Sequence, residues 1–399
     1  MDGHADLSLM LPAANGRMER YRLRGPASFA TATSPAQFTR VAYSAAHVVA
    51  DPAADINPWL DCAVDWEATI AYRRHLWSLG LGVAEAMDTA QRGMGMDWQA
   101  SYELIRRSVA AAKDVPGAIL ASGCGTDQLL PEDARNLDDV IRAYEEQMAA
   151  IEKIGGRLIL MASRALARVA KSPADYEKVY DRILRQAREL VIIHWLGDAF
   201  DPALKGYWGS VDPKPAVDTA LGIIAAHAAK VDGIKISLLD DSIEIAMRRK
   251  LPPKVRMYTG DDFNFAPLIA GDGQGTLPNH KHSDALLGIF DAIAPAASAA
   301  LLALAQGDQQ KFDAILAPTV PLSRHIFRKP TWYYKTGVTF MAWLNGHQSH
   351  FTMVGGQQSA RSLPHLAELF RLADAAGLLQ KPDLAIPRMK TLLAFHGVN

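Results

Sequence analysis

The chain has 399 residues, 42 Lys plus Arg against 43 Asp plus Glu, a formal net charge of -1 and 49% hydrophobic residues. A near-neutral chain lacks the broad basic field that would hold nucleic acid or an anionic lipid surface, so neither is an expected partner and small-molecule chemistry is favoured. Two cysteines, Cys62 and Cys124, cannot build a disulfide framework and do not stand at zinc-site spacing, which suits a reducing compartment.

The opening residues, Met1 to Asp6, are acidic where a signal peptide is basic, and no apolar stretch reaches the roughly 18 residues of a membrane span. A cytoplasmic protein is expected. Residues 1–37 are polar and rich in Pro, Gly and Ala with little period, and read as an extension over one end of a domain. From Arg40 short apolar runs alternate with amphipathic stretches, which is the signature of repeated βα units. The runs are 41–49, 82–88, 117–122, 157–162, 190–194, 231–237, 255–259 and 275–277. Helical patterns lie between them over 65–78, 98–112, 137–154, 174–187, 216–229 and 242–251. Ser172 before Pro173 and Asp175, and Asp97 before Trp98, are helix-start signals.

Eight such units predict a closed (β/α)8 TIM barrel over 38–290, and no GxGxxG or GxxxxGK[ST] segment argues for a nucleotide fold. After the eighth run the chain turns helical, over 282–304, 309–316, 332–345 and 363–376, so 291–399 is expected to pack on the barrel as a C-terminal helical extension.

Within the sixth run, Val231-Asp232-Gly233-Ile234-Lys235-Ile236-Ser237, one lysine sits in an apolar strand. A lysine buried there must be paired, neutralised or aimed into a wet cavity, and a neutral amine is the nucleophile that forms a Schiff base with a carbonyl. Active sites of such barrels lie at the C-terminal strand ends, which singles out His47, Glu85, Asp88, Thr89, Arg164 and His194. A lone histidine at a strand end is as readily a packed core residue; several polar groups meeting at one mouth are harder to dismiss.

These segments together resemble the dihydrodipicolinate synthase and N-acetylneuraminate lyase superfamily of class I aldolases. Gly233-Ile234-Lys235-Ile236-Ser237 stands where that family has Gly-Ile-Lys-Asp-Ser, and Tyr258-Thr259-Gly260-Asp261-Asp262 resembles its Thr-Gly-x-Asp segment. Gly273-Gln274-Gly275-Thr276 with Asn279 resembles its eighth-strand motif, and Arg361-Ser362-Leu363-Pro364 the approach to its closing helix. The departures are equally specific. Met87-Asp88-Thr89-Ala90-Gln91 replaces Gly-Thr-Thr-Gly-Glu, and His194-Trp195-Leu196-Gly197 replaces the Tyr-Asn-x-Pro whose tyrosine shuttles protons. Asp198 and Ala199 occupy the stretch where the family's carboxylate-binding arginine often falls.

The resemblance implies a lyase, an aldolase or related dehydratase, working through a Lys235 imine on a 2-keto acid such as pyruvate. Its partner would be a hydroxylated, sugar-acid-like molecule. His194 is expected to replace the missing tyrosine as a proton shuttle near neutrality, with Thr89 in the relay. Asp88, Gln91, Arg164, Ser237, Asp262 and Asn279 are expected to line the pocket, Arg164 as a carboxylate fork. No cofactor is expected on this reading. One alternative is a divalent metal on His47, Glu85 and His194, serving a sugar-modifying enzyme; another is a non-catalytic small-molecule-binding barrel. A homo-oligomer, dimer or tetramer, is expected, with Trp332-Tyr333-Tyr334 as a plausible aromatic contact patch.

Overall fold

Alternating burial marks the first strand. In the computed structural model, which describes residues 7–13 and 16–398, β1 (Ser8–Pro12) and β2 (Met18–Arg22) pair antiparallel, with Leu9 and Leu11 buried. The acidic start, Met1 to Asp6, lies outside the described residues. The stretch read as aperiodic thus holds a hairpin, and it docks on the C-terminal helices: Tyr21 donates to Asp374 at 2.6 Å, and Arg371 donates to the Pro12 carbonyl at 2.9 Å.

The barrel strands are β3 (Ala42–Ala45), β4 (Gly82–Glu85), β5 (Leu120–Cys124), β6 (Leu158–Leu160), β7 (Val191–Leu196), β8 (Val231–Ser237), β9 (Arg256–Thr259) and β10 (Asp284–Leu287). All neighbours pair parallel, and β10 closes on β3. Helices α1 (Trp66–Ser78), α2 (Trp98–Lys113), α3 (Leu137–Lys153), α4 (Arg164–Val169), α5 (Pro173–Gln186), α6 (Pro213–Ala226), α7 (Asp241–Arg248) and α8 (Phe265–Ala270) lie between strands. Their starts are capped as the residues dictate: Asp65, Asp97 and Asn136 each accept from a first-turn amide, and Ser172 with Asp175 forms a capping box ahead of Pro173.

One strand was placed wrongly from sequence. The run 275–277 is loop, and the eighth barrel strand is β10, in the stretch read as the start of a helix. Asp284-Ala285-Leu286-Leu287 is too short for periodicity to separate a buried strand from a helix, and the Gly-rich segment before it looked more like a strand exit than it is.

Side chains alternate between lumen and helix layer. Tyr43, Ala45, Ala84, Ala121, Ile159, Ile192, Tyr258 and Leu286 fill the lumen, while Val83, Val191, Ile193 and Ile234 join the larger core under the helices. Tyr43 and Tyr258 meet edge to face at 6.0 Å, and Tyr258 donates to Asp232 at 2.6 Å. Beyond the barrel come α9 (Ile289–Ala292), α10 (Ala294–Ala305), α11 (Gln309–Leu316), α12 (Thr319–Ile326), α13 (Tyr334–Leu344), α14 (Leu363–Ala375) and α15 (Pro382–Phe395). Every residue of α13 is buried, so it is the core of this region. Among the described residues no helix is long and apolar enough to cross a membrane.

Glu85 shares the outward face of β4 with Val83. Its carboxylate takes both Arg73 Nε and Nη2, at 2.9 and 2.8 Å, and also Ser108 Oγ, inside a fully buried pocket between α1 and α2. Arg73 also reaches the carbonyl of His47, so one ion pair ties β3, β4 and two helices. Removing one partner of such a pair strands a buried charge, at a cost of about 3–5 kcal/mol. Glu85→Ala is therefore expected to lower unfolding free energy by about that amount in urea titrations, whereas a loss under about 1 kcal/mol would show that water reaches Arg73.

Candidate active site

Lys235 projects into the lumen of β8, level with His194 on β7 and Tyr258 on β9. Its side chain is only 6% exposed, and among the described residues no ion pair or hydrogen bond holds the amine. Burial lowers its pKa from 10.5, while Asp88 and Asp262 act against that through space. Gly260 makes room for it: a Cβ there would stand 2.3 Å from Ser237 Oγ and 2.7 Å from Lys235 Cε. That contact is a physical reason for glycine in the Thr259-Gly260 segment.

His194 is fully buried on the same lumen face, its Nε2 3.3 Å from Ser237 Oγ and its Nδ1 without a partner. Burial first, and the neighbouring Lys235 charge second, hold its pKa well below 6.5. That direction favours the uncharged imidazole, so the expected proton shuttle would have to work from the neutral ring.

The exit of β4 is a strained turn, with Ala86 at φ 51 and Gln91 at φ 63 in the left-handed region that non-glycine residues seldom occupy. The turn presents Asp88, half-buried, and Thr89, 1% exposed. Thr89 Oγ1 lies 2.8 Å from the hydroxyl of Tyr334, the first residue of α13. Tyr334 is enclosed against Phe327, stacked at 4.3 Å, and Gly288 leaves space for both rings, since a Cβ there would lie 3.1 Å from each. A tyrosine hydroxyl therefore does reach this site, supplied from outside the barrel. Of the aromatic run, Tyr334 is buried and lines the mouth, while Trp332 and Tyr333 are half-buried.

Asp262 follows β9 and is fully buried; Ile289 N–H donates to its carboxylate at 2.9 Å. Burial pushes its pKa up to about 7, with Asp261 and Asp88 adding and Lys235 opposing.

The remaining expected residues divide. Ser237 is in the cluster. Arg164, exposed, stands at the rim with its Nε 2.5 Å from Asp201. Gln91 is turned away from the lumen, donating to the Val354 carbonyl at 2.6 Å and tying the β4 exit to the C-terminal region. Asn279 is at the other end of the barrel, donating to the carbonyls of Pro252 and Val255 just before β9. It is a correction that follows from the misplaced eighth strand. The alternative metal set is not assembled either. Glu85 faces the helix layer against Arg73, His47 Nδ1 bonds Asp291 at 2.8 Å, and His194 faces the lumen. Among the described residues no group of three His, Cys, Asp or Glu could hold a metal ion.

Tyr334 and Lys335 were the residues the sequence reading missed. The signal was present: Lys335 interrupts an otherwise apolar helix, just as Lys235 interrupts an apolar strand.

A family model described as "Protein of unknown function (DUF993)" matches residues 9–398. The chain belongs to that family. No curated protein matches it. Among solved structures, dihydrodipicolinate synthase from Aquifex aeolicus superposes with TM-score 0.63 at 12% identity, over 86% of this chain and 99% of that one. YagE from Escherichia coli K12, a prophage protein of the dihydrodipicolinic acid synthase family solved with pyruvate, gives 0.64 at 14% identity, over 85% and 99%. The 4-hydroxy-tetrahydrodipicolinate synthase of Methylacidiphilum fumariolicum gives 0.59 at 13%, over 89% and 97%. This DUF993 protein thus has the dihydrodipicolinate synthase fold, as its strand-six and strand-seven motifs implied.

A buried carboxyl that keeps its proton to about 7 when folded, and loses it near 3.8 when unfolded, makes the folded state hold the extra proton between those values. Stability then falls as pH rises through that window. Glu244, pushed up to about 8 by burial, contributes a slope of the same sign, so the comparison is between variants. Asp262→Asn is expected to show a flatter fall of Tm from pH 4 to 7 than the parent protein in scanning calorimetry; parallel curves would mean that Asp262 is ionised throughout.

Proposed function

We propose that this protein is a lysine-dependent lyase that forms a Schiff base between Lys235 and a 2-keto acid and makes or breaks a C–C bond to a hydroxylated aldehyde. The observation that carries the reading is the Lys235 amine itself, enclosed in the barrel lumen with no ion pair among the described residues and with its pKa lowered by burial. The fold similarity to a protein solved with pyruvate, YagE, supports the same direction.

On this reading the free amine adds to the keto carbon, a proton passes from nitrogen to oxygen, and the carbinolamine hydroxyl, taking a proton from the Asp262 carboxyl, leaves as water to give an iminium. The iminium accepts the electron pair released when the C–C bond beside it breaks, giving an enamine and a free aldehyde. Protonation of the enamine carbon and hydrolysis return the keto acid and Lys235. The Tyr334 hydroxyl, through Thr89, moves the proton of the aldehyde oxygen. Asp262, titrating near 7, exchanges protons with the carbinolamine, and Ser237 with neutral His194 holds the substrate by hydrogen bonds. The hydroxyls and carboxylates around Lys235 favour a hydroxylated, sugar-acid-like substrate over an apolar one.

Borohydride reduction in the presence of pyruvate, followed by peptide mapping, is expected to give a stable adduct on Lys235 that is absent from Lys235→Ala. An unmodified Lys235 across a panel of 2-keto acids would overturn the reading. Tyr334→Phe is expected to keep the adduct but slow C–C cleavage by about 10²–10⁴-fold, the usual worth of a positioned acid–base group, measured as single-turnover release of pyruvate from a 2-keto-3-deoxy sugar acid.

A further inference from the structure

We propose that the barrel mouth contains a second, anion-binding subsite built by Lys335 and Arg164, which takes a carboxylate or phosphate at the end of the substrate remote from the carbonyl. The position of that carbonyl rests on the Lys235 reading above; the subsite itself does not.

Lys335 enters from the first turn of α13 and is 2% exposed. Its amine donates to the Trp332 carbonyl at 2.9 Å and lies 3.2 Å from Met94 Sδ, and among the described residues no carboxylate forms an ion pair with it. Its contacts, the Tyr334 ring at 4.9 Å included, are neutral, while Asp88 and Asp201 line the same cavity and act on it only through space. An enclosed ammonium with neutral partners is costly, and an arriving anion removes that cost.

Arg164 lines the same small cavity from the first residue of α4. Asp201 holds its Nε, and among the described residues neither Nη has a hydrogen-bond partner, so the fork is oriented yet uncommitted. Arg92, the other cation of the cavity, is spent on Asp127, Gln147 and the Gly123 carbonyl. Burial pushes the Lys335 pKa down to about 8, with Arg164 adding to the fall and Asp88 and Asp201 opposing it. A bound anion would restore the proton. The cavity is also lined by the carboxylates Asp88 and Asp201, of which Asp201 is already held by Arg164 Nε. Asp88 lines this cavity and acts through space on both Lys235 and Lys335, which puts the cavity at the same barrel mouth as Lys235.

The test uses two keto acids of equal length, 2-oxoglutarate and 2-oxopentanoate, with borohydride trapping titrated on the full-length protein. The parent protein is expected to trap 2-oxoglutarate at a concentration on the order of tenfold lower, and Lys335→Met to abolish the preference. Arg164→Gln, at an exposed position, keeps the test sound should Lys335→Met fail to fold. Equal trapping of both acids by the parent protein would overturn the subsite while leaving the Lys235 chemistry intact. Glutarate or inorganic phosphate binding by calorimetry, lost in Arg164→Gln, with neither keto acid trapped, would keep the subsite and overturn the lyase reading. Stronger binding of glutarate or of inorganic phosphate would assign the anion as carboxylate or phosphate, and binding of neither by the parent protein would exclude the subsite.

Discussion

Side chains alternate across each strand of a closed parallel barrel, and that period decides which polar residues of this chain can meet. Lys235 and His194 fall on lumen positions of neighbouring strands in register, so an amine and an imidazole share one enclosed space. Glu85 falls on the opposite face of its own strand and spends its charge on Arg73. Glu85 and His194, which belong to one candidate ligand set in the sequence, are divided by that rule, and His47, beyond the end of β3, is held by Asp291. The same rule makes glycine necessary at 260, where any Cβ would occupy the space of Lys235 and Ser237.

Enclosure then sets the chemistry. The side chains are buried, and burial displaces three ionisable groups toward their neutral forms: Lys235 downward, His194 well downward, Asp262 upward to about 7. The two carboxylates that act on Lys235 limit its fall without pairing directly with it. A lysine locked in a salt bridge would be a structural residue. One held only through space keeps a reactive amine within reach.

The C-terminal region does more than cover the barrel. Helix α13 is buried on all sides and delivers two consecutive polar residues, Tyr334 and Lys335, to the mouth. Tyr334 meets Thr89 on the strained exit of β4, and Gln91 at the end of that exit is anchored to the Val354 carbonyl. The site is therefore shared between the barrel and its helical extension, and the N-terminal hairpin, bonded to Asp374 and Arg371 of α14, braces the helices that hold α13 in place.

Length, charge and the repeating apolar runs were sufficient to specify a TIM barrel with a helical extension, because burial on both faces of a parallel strand leaves a signature in one dimension. Lys235 was legible for a related reason, since a lysine in an apolar run is anomalous wherever the run packs. Three things needed the tertiary structure. The eighth strand is four residues long and carries no period, so Asn279 was assigned to the wrong end of the barrel. The face on which Glu85 lies depends on strand phase, which two apolar neighbours do not define. Tyr334 reaches Thr89 across 245 residues of chain, and contact over such a separation is written in packing, not in local sequence pattern.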